Sequence, residues 1–526
     1  MNTPAQSPLR DAMNRDWMRR WRHLLAGAGL GIAAFTLVLI ATDPPGPGLD
    51  PDALSYLGAA ESLAWQGTWR APAAPWWSAD SSVALAHFPP GYPTVLALPV
   101  RLGMPSIQAA RLVDALAAGL TVAIAVLLVA ESAGVIAGGL AGAALMATPA
   151  LARVHLSVLS EPLFLACTAL LLALMTRRRA RPVATGLVAA VSALVRYAGA
   201  AYVGAAVLWA VAPRGSARER LRRGGLALLP SLALQGAWLV RTRLLHERGE
   251  IRHVAFYGGL GPMLAQGATT VRDWLIPDPL AWTDPLPWRP ALALAALVVV
   301  VVIGIAGVRR AMDAPRSGAP RPQRLFAASA LLVACYLGML LLSRLLADPH
   351  VPLDERLLSP AILLASIVWI TAMALWWCGR VRVVTRIAVA LVLATWGLAG
   401  AESVLAEAAY AMSWGSDFAG EQWRRSETVA WAREKGMGHR LYSNWPPALW
   451  FQLHRATWYV PGAGQAASLP AFADSVRAHD GRVLVFTTTD VDYLGPDAFT
   501  HVPGLRVVDT LEDGIVLAPS PRARPM

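Results

Sequence analysis

Asp52 and Tyr56 stand four residues apart, the spacing that puts two side chains on one face of an α-helix. The segment around them carries helix punctuation. Asp50 suits the N-cap, Pro51 the first helical position, and Gly67 the stop after about Gln66. The other side, with Leu54, Leu57, Ala64 and Trp65, is apolar enough to rest on a membrane surface. An acid and a phenol are therefore expected to face a site at the interface. Asp52 in a first turn also complements the helix dipole, worth about 0.3–1 kcal/mol, and Asp-x-x-x-Tyr alone does not separate the two roles. Two more charges stand in apolar surroundings: Glu161 heads an apolar run, and Arg196 interrupts the otherwise apolar stretch 183–212. A charge at the bilayer centre costs at least ~2.5 kcal/mol on insertion scales, so Arg196 is expected at a turn beside a polar cavity. Glu161 either pairs with Arg153 or Arg196 or serves a ligand.

The chain that must position these groups is not a set of water-soluble domains. Of 526 residues, 56% are hydrophobic and only 15% charged, against about 25% charged in soluble proteins. Apolar runs of the length that crosses a bilayer as helix recur throughout. They predict a polytopic α-helical membrane protein of about eleven transmembrane helices. The spans are placed at 24–41, 108–130, 133–149, 160–176, 183–196, 198–212, 225–242, 291–308, 325–346, 359–377 and 387–405.

Charge alternates along the connections. Arginines crowd residues 10–22, 177–181, 214–223, 309–324 and 380–386, while Asp43, Asp50, Asp52, Asp80, Asp348, Asp354 and Glu355 fall in the segments between. The positive-inside rule puts the basic N-terminus, 1–23, and the basic loops in the cytoplasm, and the C-terminal tail outside. The first helix is expected to be retained, because its run is long and no clear small-residue cleavage site follows. The same rule decides the stretch 183–212. One long helix would put Arg177–Arg181 and Arg214–Arg223 on opposite faces, so two short helices turning at Arg196-Tyr197-Ala198-Gly199 are expected. About 14 residues reach only ~21 Å. The formal charge of +12 is mostly loop arginine, with Lys435 the only lysine, and implies no nucleic acid. Cys167, Cys335 and Cys378 lie in apolar runs and suggest neither a disulfide framework nor a cysteine metal site.

Four pieces lie outside: a first loop 43–107, a segment 243–290, a short loop 347–358, and the tail. The transmembrane domain covers 24–405. The tail, 406–518, reads as a small extracytoplasmic α/β domain, with strands near 440–444, 482–487 and 514–518 and helices at 421–436 and 468–479. Residues 519–526, rich in Pro and Arg, are expected to be disordered. A multi-pass protein, expected in the inner (plasma) membrane, is the organisation this predicts.

Past Gly67 the first loop carries Trp69, Trp76 and Trp77, which read as interfacial anchors. It then reaches His87 and the stiff, proline-rich run Phe88–Pro93; His87 reads as loop packing. Trp445, Trp450 and Trp458 in the tail read as core or membrane contacts, and Arg243 and Arg344 as snorkelling to headgroups. Taken in order, the run Asp52–Ala60 with Gly67, Phe88–Pro93, Arg111 opening the second span, Ser160-Glu161-Pro162 opening the fourth, and Arg196–Gly199 resemble the GT-C superfamily of integral-membrane glycosyltransferases. The branch is that of protein O-mannosyltransferases and the lipid A aminoarabinose transferase. The resemblance is close over about the first 220 residues and mainly topological beyond, although Arg356-Leu357-Leu358-Ser359-Pro360 looks like the Arg-Tyr-Leu-x-Pro found late in many members.

This resemblance implies a polyprenyl-phosphate sugar as donor, an extracytoplasmic lipid, glycan or protein hydroxyl as acceptor, membrane lipids as surroundings, and inversion at the anomeric carbon. Asp52, at the position of the family's first-loop aspartate, is then the general base. Arg111, Arg196 and Arg356 would stabilise the leaving lipid phosphate, with Tyr56, Tyr92 and Glu161 joining them in substrate binding. Glu161 could hold the acceptor, orient an arginine or help to bind a metal. Many members carry a second acid after the loop aspartate; here Ala53 follows. No cofactor is certain from this, and a divalent metal stays open without support from spacing. The alternative function is a polytopic transporter or lipid flippase. Such proteins often show inverted repeats and mid-membrane ionisable groups, whereas the outer acids of this chain gather in loops. A non-catalytic anchor displaying the tail would need neither Asp52 nor Arg196.

Overall fold

The structure is a computed structural model that describes residues 8–179, 181–245, 255–277, 298–299, 301–302, 304–309, 321–347, 351–487 and 494–521. Asp348, much of the span expected at 291–308, most of the basic loop 309–324 and the tail end 522–526 lie outside these residues. The chain divides into two compact units, one built mainly from residues up to 41, 111–244 and 250–409, the other mainly from 42–110 and 410–526.

The first unit is helical. Five helices are long and apolar enough to cross a membrane: Trp17–Ala41, Ser106–Ala133, Arg321–Leu346, Glu355–Trp377 and Val383–Trp414. The helices Val135–Met146 and Pro149–Leu156 form a sixth span if their bent pair counts as one. Their bend of 61° falls inside the span expected at 133–149, and its cause is local. Pro149 follows Thr148, whose backbone is extended (φ −94°, ψ 108°), because the residue before a proline is pushed out of the helical region. Shorter apolar helices cover Glu161–Met175, Pro182–Val195 and Tyr197–Val211. The polytopic helical expectation holds; the remaining expected spans are these short helices, the helix Ala217–Leu244, or segments only partly described.

The hairpin at 183–212 is present as expected. Helix Pro182–Val195 ends at Arg196, which is extended (φ −145°, ψ 136°), and a 3₁₀ turn over Tyr197–Gly199 leads into helix Ala200–Val211. The turn closes tightly because Gly199 lies on the backbone of Ser192 and Ala193, where a Cβ would collide. At the opposite end Arg178, Arg181, Pro213, Arg223 and Arg324 line one cavity. The two basic segments thus share one end of the unit, as two short helices require.

In the second unit, a sheet of five strands runs in the order Trp458–Tyr459, Leu441–Ser443, Arg482–Phe486, Gly514–Pro519, Leu505–Leu511. The first three strands are parallel and the last two join antiparallel. The strands expected at 440–444, 482–487 and 514–518 are there. The helix expected over 421–436 is broken into Glu421–Arg424 and Glu427–Glu434, because the Ser426 hydroxyl caps the second piece by accepting from the Val429 amide at 3.0 Å.

The Asp52 helix, Pro51–Gln66, has the caps the sequence indicates: Asp50 accepts from the Asp52 amide at 3.0 Å, and Gly67 closes it in a left-handed conformation (φ 71°). Its apolar side differs from expectation. Leu54 and Leu57 are buried in the protein and do not lie on a membrane, while Trp65 is exposed. Gly58 is the reason for the close packing: a Cβ there would run into the Pro72 ring on the short strand Arg70–Pro72. The loop is also stitched to the sheet. Tyr459 donates its amide to the Ala74 carbonyl at 2.8 Å, and the Trp458 indole donates to the carbonyls of Ser78 (3.1 Å) and Asp80 (3.0 Å). Trp76, expected as an anchor, packs edge-on against Phe472 with centroids 5.8 Å apart, so the sheet's core claims it first.

Replacing Gly58 by Val should lower the thermal unfolding midpoint in detergent, at a cost of about 1–3 kcal/mol for overpacking. Gly139→Ala, where a Cβ meets nothing within 4 Å, should leave the midpoint unchanged or raise it, since Ala favours helix. Equal effects would contradict this packing.

Candidate active site

Three helix ends meet in the first unit, and each brings a charge. Helix Glu161–Met175 begins with Glu161, where an acid suits the positive end of the helix dipole. Helix Pro182–Val195 ends at Arg196, where a cation suits the negative end. Helix Glu355–Trp377 begins with Asp354 as N-cap, its carboxylate accepting from the Leu357 amide at 2.9 Å, and so carries Arg356 in its first turn. A cation there opposes the dipole, so Arg356 is placed for something other than its own helix.

That partner is Glu161. Its carboxylate accepts from Arg356 Nε at 3.0 Å and pairs on its other oxygen with Arg196, while Arg196 Nη1 also donates to Ser160 Oγ at 3.2 Å. The acid is 1% exposed, and the two guanidinium side chains are 15% and 28% exposed. Burying a lone carboxylate would cost several kcal/mol, so two cations around one acid are what permits this burial. The cluster carries a formal excess of one positive charge. Beneath it lie aromatic rings: Phe164 and Tyr202 stack at 5.1 Å, Tyr336 lies 5.9 Å from Tyr202, and its hydroxyl donates to the Leu357 carbonyl at 2.9 Å.

A second ionic group lies alongside. Arg153, on the helix Pro149–Leu156, forks onto Glu355 and reaches Glu407 at 3.2 Å. Of the two partners left open for Glu161, Arg196 is the one taken. Sequence reading did not single out Glu355 with Glu407; the only hint was an acid beside Arg356. A cavity of about 280 Å³ opens here, with Arg153, Arg356, Asp273, Asp354 and Glu355 among its lining residues.

The other expected residues divide between the units. Arg111, near the start of helix Ser106–Ala133, donates to the Leu39 carbonyl at 2.9 Å. It thereby caps the last turn of the first helix, since Leu39 sits just before its end at Ala41. Asp52, Tyr56 and Tyr92 belong to the second unit. Asp52 is half-buried in the first turn of its helix. Tyr56 (3% exposed) packs on Phe88 at 4.9 Å and on Tyr92 at 5.2 Å. Both tyrosine rings are covered, so they brace the loop whatever their hydroxyls contact. Among the described residues no group of three or more His, Cys, Asp or Glu gathers as a metal site.

Removing Glu161 leaves two partly buried cations facing each other. Glu161→Ala should cost about 3–5 kcal/mol, against about 1 kcal/mol for Glu407→Ala at the more exposed pair. Thermal unfolding of the two variants side by side measures the difference; an equal loss would mean Glu161 is not the keystone.

No family profile matches the sequence, and no curated protein resembles it significantly. Solved structures do resemble it. The fold superposes on the arabinofuranosyltransferase AftD from Mycobacteria with a TM-score of 0.56 at 18% identity, covering 96% of this chain and 40% of that one. The chain thus spans less than half the length of AftD. The oligosaccharyltransferase of Archaeoglobus fulgidus matches with a TM-score of 0.50 at 12% identity, over 87% of this chain and 68% of that one. ArnT from Cupriavidus metallidurans aligns over 93% of this chain and 97% of its own, at 16% identity and a TM-score of 0.47. The chain has a GT-C-like fold.

Proposed function

We propose that this chain is a membrane glycosyltransferase that moves a sugar from a polyprenyl-phosphate donor to an extracytoplasmic acceptor hydroxyl with inversion. The observation that carries the reading is the cluster of Arg196 and Arg356 around Glu161 at the meeting of three helix ends, open through Arg356 to a cavity. The GT-C-like fold, shared with an arabinofuranosyltransferase and an oligosaccharyltransferase, supports it.

The chemistry divides between two kinds of group. The acceptor hydroxyl gives its proton to the carboxylate of Asp52 as its oxygen attacks the anomeric carbon. The bond from that carbon to the phosphate oxygen breaks on the opposite face, and its electron pair goes to the leaving phosphate. The donor phosphodiester carries one negative charge and the released monoester up to two. Fixed guanidinium groups favour that change, because their field is already oriented when the charge arrives. Arg356 and Arg196 are proposed as these groups, with Glu161 holding both forks in place; Arg111 takes part through the first helix it caps. Tyr56 and Tyr92, whose rings are covered, serve substrate binding in this reading by keeping the Asp52 helix firm. In this reading the protein is a multi-pass protein of the inner membrane, with the basic N-terminus inside and the tail outside.

Asp52→Asn should insert normally and lose sugar transfer by about 10²–10⁴-fold in membranes given a polyprenyl-phosphate sugar; full activity would remove the assignment. Comparing surface glycans by mass spectrometry with and without the protein identifies the product. For orientation, a cysteine at Ser468 in a chain freed of Cys167, Cys335 and Cys378 should react with an impermeant maleimide added outside intact cells. Reaction only after lysis would reverse the topology.

A further inference from the structure

The Glu161 helix has another end. Glu161–Met175 runs for 15 residues, about 22 Å at the helical rise, and past it the chain carries Arg177, Arg178, Arg179 and Arg181. A cavity of about 950 Å³ opens there, lined by all four. The start of helix Arg321–Leu346 adds Arg321 and Arg324, and helix Trp17–Ala41 adds Arg19 and Arg20. Among the described residues one carboxylate enters, Glu131, and it is paired with Arg321. The Nε atoms of Arg321 and Arg324 are shielded from solvent and find no hydrogen-bond partner among the described residues. The rest of the wall is largely apolar, with Leu24, Ile124, Leu127, Leu128 and Leu170.

Loop arginines that only obey the positive-inside rule point into water, each solvated by itself. These converge on one concave space from three parts of the chain. Among the described residues, eight guanidinium groups against one carboxylate call for a ligand with several negative charges, and arginine's planar fork suits phosphate oxygens. The apolar wall adds a second requirement that a soluble anion does not meet: the ligand brings hydrocarbon with its charge. Basic pockets between membrane helices meet both demands with lipid headgroups of more than one phosphate.

We infer that this arginine-lined cavity binds a membrane lipid whose headgroup carries two phosphates, with the start of its chains against Leu24, Leu127 and Leu128. The site lies at the opposite end of the Glu161 helix from the proposed transfer centre and does not depend on that reading. The positive-inside rule assigns it to the cytoplasmic leaflet.

The test uses the full chain in nanodiscs of phosphatidylcholine alone, with phosphatidylglycerol (one phosphate), or with cardiolipin (two). Native mass spectrometry counts the lipids kept, and thermal unfolding reports their effect. The expected result is one cardiolipin per chain, retained about tenfold or more over phosphatidylglycerol. The double variant Arg178→Gln with Arg324→Gln should lose that excess while keeping its midpoint in phosphatidylcholine. Equal retention of the two lipids by the unaltered chain would overturn the proposal even if the variant misfolds, and so would an undiminished preference in a folded variant. Inorganic pyrophosphate is the free-anion arm: protection by it equal to that by cardiolipin would make this a site for soluble polyphosphate and overturn the lipid assignment.

Discussion

A carboxylate cannot be dried without a counter-charge, and Glu161 is almost completely dry. The cost of stripping water from one such ion is several kcal/mol after relaxation, comparable to the whole stability of a typical domain. The first unit meets it with two guanidinium groups on two different helices, so the acid fixes where the ends of Pro182–Val195 and Glu355–Trp377 come to rest. The arginine in an unfavourable first turn answers to this demand. Ion pairs from two helices to one buried acid hold both guanidinium groups in fixed orientation. That is the condition under which charged groups stabilise a charge that develops during reaction.

Much of this was readable in the sequence, for identifiable reasons. Arg196 in an apolar stretch could only sit at a turn, and basic residues on both flanks forced that turn into a hairpin. Asp50, Pro51 and Gly67 delimited the Asp52 helix because each has a conformational task few other residues perform. What escaped notice depended on distant partners. Glu355 and Glu407 acquire meaning only when Arg153 swings toward them after the bend at Pro149. The edge strand Leu505–Leu511 was missed because its register shifts between Val507 and Asp509, which spoils the alternation a strand is recognised by. Leu54 and Leu57 looked like membrane contacts because apolarity says what a surface avoids without naming what covers it.

The two kinds of tryptophan illustrate the same limit. Trp65 and Trp77 are more than half exposed, while Trp76, one residue from Trp77, is drawn against Phe472. Composition treats these rings alike. Their surroundings separate them, through the hydrogen bonds that bring the first loop to the strand Trp458–Tyr459.

Those hydrogen bonds also set a schedule. Ser78 and Trp458 are 380 residues apart in sequence, so the first loop leaves the ribosome long before the strand that anchors it exists. At ordinary synthesis rates the wait is roughly 20–80 s. Through that interval Trp76 and the open edge beside Ala74 lack their final cover, and contacts so distant along the chain close slowly once they can close at all. Biogenesis of this protein therefore includes a period in which an aromatic, proline-rich segment is already made and still uncovered, an opening for a chaperone or a protease to decide its fate.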